Sequence, residues 1–194
     1  HEHDLVFAIG VCHSANHPRR GYLKTSVTHP GTTPVSATPS YRVLILGHGE
    51  MGHAMETLLG ARHRLAVWER QPPPDRQPVR LEDQVSEAEF VVFCLPTSAH
   101  AALAARIQSV LKKPTLCVTI AKGLDDDGRT AAEVLTGALG REPVAVVYGP
   151  MIAEEIRAGR PAFAQCGAPA AGGAERLLGL FRGSELQSEE SGDA

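Results

Sequence analysis

The sequence predicts an α/β fold: a single domain built on a doubly wound, mostly parallel sheet, behind a disordered N-terminal leader. Three observations predict it. Between Tyr41 and Gly183, short β-rich runs alternate with segments of helical periodicity. Most of those runs are apolar without interruption, as strands covered by helices on both faces must be. The first of them ends in a glycine-rich turn that leads straight into a helical segment. Alternation of this kind means parallel strands joined by right-handed crossovers. In such sheets ligands sit beyond the carboxyl ends of the strands.

The elements follow in order. Arg42-Val-Leu-Ile-Leu46 is the first strand, and Met51, Ala54, Met55, Leu58 and Leu59 recur at helical spacing up to a stop at Gly60. His63 to Trp68 reads as the second strand. Gln71 to Val79, with three consecutive prolines, reads as a loop. Phe90-Val-Val-Phe-Cys-Leu95 is a buried strand closed by Pro96, and Leu103, Ile107, Val110 and Leu111 mark the helix after it. Thr115 to Ala121 is a strand, and Val134, Leu135, Ala138 and Leu139 define another helix. Pro143 to Tyr148 is a strand, Ile152 to Ala158 a short helix, Ala162 to Cys166 a weak strand, and Leu177, Leu178 and Phe181 the last helix.

The ends differ from this middle. Residue 1 is His, so the chain reads as a fragment or a processed product. Residues 1–40 show little periodicity and, from Asn16 on, are rich in Pro, Gly, Ser and Thr, a composition that cannot offset its ordering entropy. The apolar run Leu5 to Cys12 lacks the basic residues that precede a signal-peptide core. His1, His3, Cys12, His13 and His17 have nothing to fix them as a metal site. Residues 184–194 are polar and acidic, and read as a linker cut short. The domain limits expected are therefore 1–40, 41–183 and 184–194.

Composition narrows the function. In 194 residues, nineteen basic and twenty-two acidic side chains give a formal net charge of −3, against nucleic-acid binding. No stretch approaches the roughly 20 apolar residues that span a bilayer. Cys12, Cys94, Cys117 and Cys166 lie far apart with no CxxC pair, so neither a zinc knuckle nor a disulfide scaffold is indicated and a cytoplasmic setting is expected. Asp125-Asp-Asp127 reads as a solvated turn and N-cap for a helix starting near Gly128.

Gly47-His-Gly-Glu-Met-Gly52 is a GxGxxG between strand and helix, the context that this motif requires. Gly47 permits the turn, Gly49 admits a pyrophosphate close to the backbone, and Gly52 lets helix and strand pack tightly. The free N–H groups and dipole of the helix start then meet the phosphate charge. Together these mark a Rossmann-type dinucleotide site. Glu69, 22 residues after Gly47, ends the second strand, where a carboxylate accepts hydrogen bonds from the adenosine ribose. Glu69 favours NAD over NADP, although Arg70, Arg76 and Arg80 lie near enough to meet a 2′-phosphate. His48 is expected to point to solvent.

Four segments carry a more specific signal: the fingerprint with Trp68-Glu-Arg70, then Phe93-Cys-Leu-Pro96, then Ala121-Lys-Gly123, and finally Gly149-Pro-Met-Ile-Ala-Glu-Glu-Ile156 with Pro161. In order and separation the chain resembles the N-terminal domain of the NAD(P)-dependent glycerol-3-phosphate dehydrogenases. The lysine-glycine loop and the GPSxAxE-like segment are its most specific parts. There are three departures. The connection from Arg70 to Glu89 is short, so a strand or helix of the usual domain is missing. Met151 stands where the family has a small hydroxyl residue. The helical C-terminal domain, which supplies the catalytic lysine and phosphate-binding groups, is absent.

The resemblance implies hydride transfer between a nicotinamide and sn-glycerol 3-phosphate or dihydroxyacetone phosphate, an oxidoreductase step toward glycerophospholipids. It implies NAD or NADP, and a small phosphate substrate if the second domain is supplied. The expected cofactor contacts are Gly47, Gly49, Glu50, Met51, Gly52, Glu69, Arg70, Phe93, Pro96, Lys122 and Ala153. The expected substrate contacts are Lys122, Gly149 and Met151. No catalytic residue and no metal ligand is expected in this chain.

Lys122 ends a strand where a cation steadies a developing alkoxide. Gly149 and Pro150 are expected to open a helix toward the cleft. Phe93 is either core or a wall beside the nicotinamide, and Ala153 could lie against that ring. His100, in the first turn after Pro96, faces cofactor or water. Glu154 and Glu155 complement a helix dipole. The chain alone is expected to bind NAD(H) weakly, to turn over poorly or not at all, and to self-associate through uncovered apolar surface. A non-catalytic NAD-binding module, or the cofactor domain of a hydroxyacid or ketopantoate-type reductase, are the alternatives.

Overall fold

The computed structural model describes residues 39–191, except 75, 113, 141–143, 170 and 171. The strands are β1 (Arg42–Leu46), β2 (Arg64–Trp68), β3 (Phe90–Phe93), β4 (Leu116–Thr119), β5 (Val144–Tyr148), β6 (Ala162–Gly167) and β7 (Leu186–Glu190). The helices are α1 (Glu50–Gly60), α2 (Leu81–Glu87), α3 (His100–Ile107), α4 (Ala131–Leu139), α5 (Ala153–Arg157) and α6 (Gly173–Phe181). One sheet holds all seven strands in the order β2-β1-β3-β4-β5-β6-β7. From β2 to β5 the pairs are parallel; β6 runs antiparallel to β5, and β7 parallel to β6.

Period-two alternation sends successive strand residues to opposite faces, and both faces are covered. Val43, Ile45, Phe90, Val92, Leu116 and Val118 face one layer, packed with Met55 and Leu59 of α1, Ile156 of α5, and Leu177, Leu180 and Phe181 of α6. Leu44, Leu46, Val91, Phe93 and Cys117 face the other, packed with Leu81 and Val85 of α2, Leu103 and Ile107 of α3, and Leu135 and Leu139 of α4. This double burial explains the unbroken apolar runs. Among the described residues, no helix is long and apolar enough to cross a membrane.

In the usual dinucleotide-binding order a further strand lies outside β2. Here, among the described residues, β2 is the edge. The short Arg70–Glu89 connection therefore lacks that strand but keeps a helix, α2, which the periodicity did not show because only Leu81 and Val85 of its seven residues are buried.

Three local readings are corrected. Residues 186–190, read as linker, form β7 with only Leu186 buried, so backbone pairing to β6 and not apolar pattern makes them a strand. Pro150 does not open α5, which starts at Ala153 after Ile152. The cap of α4 is Thr130, whose hydroxyl accepts from the Glu133 N–H while the Glu133 carboxylate accepts from the Thr130 N–H. Asp125 instead closes the preceding turn, accepting from the Asp127 and Arg129 N–H groups. Residues 1–38 of the leader, with the five possible ligands His1, His3, Cys12, His13 and His17, lie outside the described residues.

Candidate functional site

Four strand ends converge on one side of the sheet. Gly47 follows β1, Cys94 follows β3, Ile120 follows β4 and Gly149 follows β5. A crevice of about 510 Å³ opens there, lined by Met51, Pro96, Thr97, Lys122, Gly123 and Met151, among others. The chain thus joins residues from distant stretches of sequence at the place a parallel sheet reserves for ligands.

At the first hinge each glycine has a measurable reason. Gly47 has φ +92°, and its N–H donates to the Trp68 carbonyl at 2.9 Å, tying the turn to β2. A Cβ on Gly47 would stand 2.6 Å from Leu95 Cδ2 and 2.7 Å from the Cys94 carbonyl oxygen. A Cβ on Gly52 would run into the Gly47 carbonyl oxygen. Gly49 differs: nothing lies within 4 Å of its Cβ position, and it begins α1 with no side-chain cap. The first N–H groups of α1 therefore have no intrahelical partner and open ground before them. A diphosphate fits this cradle, because both the space and the donors are present.

Glu69 stands beside the same loop. Its Oε2 accepts from Arg76 Nη1 at 3.1 Å, and its Oε1 lies 3.9 Å from His48 Nδ1. His48 does not point to solvent: its side chain is 5% exposed, with Nε2 2.6 Å from Glu56 Oε2 and Nδ1 accepting from Arg76 at 3.1 Å. The missing outer strand leaves room for the Arg76 segment to fold over the loop. Arg70 and Arg80 remain exposed. Glu50 reaches across to Arg157 of α5, 2.8 Å away.

At the opposite wall, Lys122 is exposed, with Nζ 5.9 Å from the centroid of the Tyr148 ring. Tyr148 directly precedes Gly149, but Gly149 does not line the crevice that Lys122 lines. Gly149 packs against β6, where a Cβ would meet the Phe163 carbonyl oxygen at 2.5 Å. It faces a second cavity, about 680 Å³, between β5, β6 and β7. Met151 is buried and closes the crevice floor. Ala153 packs on the core beside α1. Phe93 is fully buried, so its ring is core and has no free face for a cofactor.

His100 touches neither cofactor ground nor water. It is fully buried, its Nδ1–H donating to the Pro96 carbonyl at 3.0 Å. Its Nε2 accepts from the Thr119 hydroxyl at 2.9 Å, and that hydroxyl accepts from the Ala121 N–H at 3.2 Å. Burial pushes the His100 pKa below its usual value, against the Pro96 hydrogen bond, so the ring is held neutral. Thr97 adds a second tie, donating to the Gly123 carbonyl at 2.8 Å. These ties fix the Lys122-Gly123 loop to the end of β3. The sequence held one sign of them, the four-residue step from Pro96 to His100. Burial also pushes the Cys94 thiol up to about 12 and Cys166 to about 11, which keeps both inert.

The sequence pattern described as "NAD-dependent glycerol-3-phosphate dehydrogenase N-terminus" matches residues 76–171, a stretch that includes Pro96, Lys122, Gly149 and Ala153. The glycine hinge lies outside that stretch, but longer alignments to curated relatives reach further. Over that stretch and in the longer alignments, the chain is similar to the N-terminal, NAD-binding part of the NAD(P)-dependent glycerol-3-phosphate dehydrogenases. A glycerol-3-phosphate dehydrogenase [NAD(P)+] of Synechocystis is 28% identical, over 78% of this chain and 47% of its own length. One from Rhizobium etli is 31% identical, over 79% of this chain and 54% of its own. The crystal structure of the Coxiella burnetii glycerol-3-phosphate dehydrogenase superposes with a TM-score of 0.68 at 21% identity, covering 79% of this chain and 55% of that one. The chain spans about half the length of the curated relatives it matches. Five parallel strands and two helix layers agree with the expected Rossmann-type fold of the family.

Proposed function

We propose that this chain is the cofactor half of an enzyme interconverting sn-glycerol 3-phosphate and dihydroxyacetone phosphate. The observation that carries the reading is the open, uncapped hinge at Gly49, which leads into α1, whose Met51 lines the same crevice as Lys122. The diphosphate rests on the first turn of α1, and Glu69 takes the ribose hydroxyls. Glu69 in this role favours NAD, because its carboxylate repels a 2′-phosphate. When bound, the nicotinamide supplies or accepts the hydride. Lys122, rotatable and exposed, holds its positive charge against the substrate oxygen and orients it. The ties through Thr97 and His100 keep its loop in place.

Leu124, Tyr148, Ile152 and Phe163 are large apolar side chains exposed by 53% or more, near the carboxyl ends of β4 and β5. In this reading they meet the second half that the relatives carry, which brings the remaining catalytic groups. The test is an NADH titration followed through Trp68, the only tryptophan of the chain. A saturable change that Gly49→Ala abolishes is expected; no saturable change overturns the cofactor reading. Reduction of dihydroxyacetone phosphate is expected only when the second half of a relative is supplied. Robust turnover by the chain alone would sink that division of labour.

A further inference from the structure

Outside the cofactor reading, one cluster among the described residues brings metal-ligating atoms together. His48, inside the glycine loop, and His53 and Glu56, three residues apart on α1, offer one ligand atom each within 4.8 Å of one another. The two imidazoles lie 3.7 Å apart between ring centroids, at an interplanar angle of 40°. His53 and Glu56 share a helix face because residues three apart are neighbours there. His48 is held by its surroundings and is almost wholly shielded from solvent.

From this juxtaposition we infer that His48, His53 and Glu56 bind a divalent transition metal of the zinc class, with water completing the site. Two imidazole nitrogens and a carboxylate, with one open position, are a donor set that zinc takes at about 2.0–2.2 Å in tetrahedral geometry. Such bond lengths put neighbouring ligand atoms about 3.3 Å apart. The His48–Glu56 contact of 2.6 Å must therefore open by about 0.7 Å, and the half-exposed Glu56 is free to move.

The protons balance. Arg76 can only donate, so its bond to Nδ1 leaves the His48 proton on Nε2, facing Glu56. Metal binding displaces that proton from Nε2, and the ring carries one on Nδ1 instead. Arg76 leaves Nδ1 and keeps its bond to Glu69 Oε2. Glu69 Oε1, 3.9 Å away, then accepts from Nδ1–H. That is the carboxylate–histidine–metal arrangement by which an outer carboxylate fixes the ring of a ligand.

The experiment titrates the full chain with zinc chloride, without nucleotide, against a chromophoric chelator. One zinc per chain is expected, with affinity falling at least roughly tenfold to a hundredfold in His53→Ala and in Glu56→Gln. Glu56→His, which restores a ligand at the same helix position, should regain binding. The leader is controlled by replacing His1, His3, Cys12, His13 and His17 together, and this variant should keep its high-affinity zinc. Cobalt(II) should give the ligand-field absorption of a four-coordinate site in the wild type and lose it in His53→Ala. Circular dichroism establishes that each variant is folded. Binding that disappears with the leader residues, or that is unchanged by both helix substitutions, overturns the inference. Because no dinucleotide is present, these outcomes stand or fall apart from the NADH titration.

Discussion

Two strand-to-helix hinges of this domain make a useful pair. Both the one after β1 and the one after β5 place a glycine where no side chain fits. At Gly47 the obstacle is Leu95 and the Cys94 carbonyl, and the backbone also needs a positive φ. At Gly149 the obstacle is the backbone of β6 alone, and φ is ordinary. The first hinge feeds the eleven-residue α1, with Gly49 open in front of it. The second feeds the five-residue α5 behind a proline and a buried Met151. A close-packed glycine is thus no signature of ligand binding by itself. What separates the two is free space next to unpartnered N–H groups.

The largest effect is expected where strain and crowding combine. Gly47→Ala should cost about 2–5 kcal/mol, from roughly 1–2 for the left-handed backbone and roughly 1–3 for overpacking, and should abolish NADH binding. Urea unfolding and the Trp68 titration read the two effects. Gly149→Ala should cost about 1–3 kcal/mol through overpacking alone, with NADH affinity kept. If instead Gly149→Ala destroys NADH binding while stability holds, the distinction between the hinges fails.

The third prediction concerns the latch that holds the Lys122 loop. His100 has a folded-state pKa below its usual 6.5, so the unfolded chain binds more protons as pH falls. Stability should therefore drop as pH is lowered below about 6.5, down through the depressed folded value. His100→Gln should lose stability at neutral pH but show a flatter acid limb from that pH downward. A wild-type stability that stays level between pH 7 and 5 in urea titrations would show that this ring is not a buried neutral group.

The smallest stability change belongs to Gly49→Ala, where the methyl enters open ground and only the cap preference changes, by about 1 kcal/mol or less. Its effect should fall on NADH affinity. A variant that binds as well as the wild type would mean that the diphosphate does not approach this backbone.

Much of this was legible beforehand. β1, α1 and β2 fall within a residue or two of their expected limits, because apolar runs and helical spacing were strong there. The glycines of the first hinge could be assigned from the motif, since strand, turn and helix were contiguous. α2 was not legible, because two buried residues in a polar stretch make no pattern. Nor was β7, whose Leu-Gln-Ser-Glu-Glu sequence has poor strand character and pairs at an edge. The sequence leaves Phe93 open between core and cofactor wall, and His100 between cofactor and water. Burial, which depends on what α3 brings over β3, assigns both to the core.

The sequence by itself determined the layered α/β plan, the first hinge and the family resemblance, because these rest on local periodicity and contiguous motifs. Only the tertiary structure decided where His48 and Arg76 turn, which glycine faces open space, and that β6 and β7 complete the sheet. Those outcomes depend on contacts between residues far apart in the chain, and no local pattern encodes which distant backbone will lie against a given side chain.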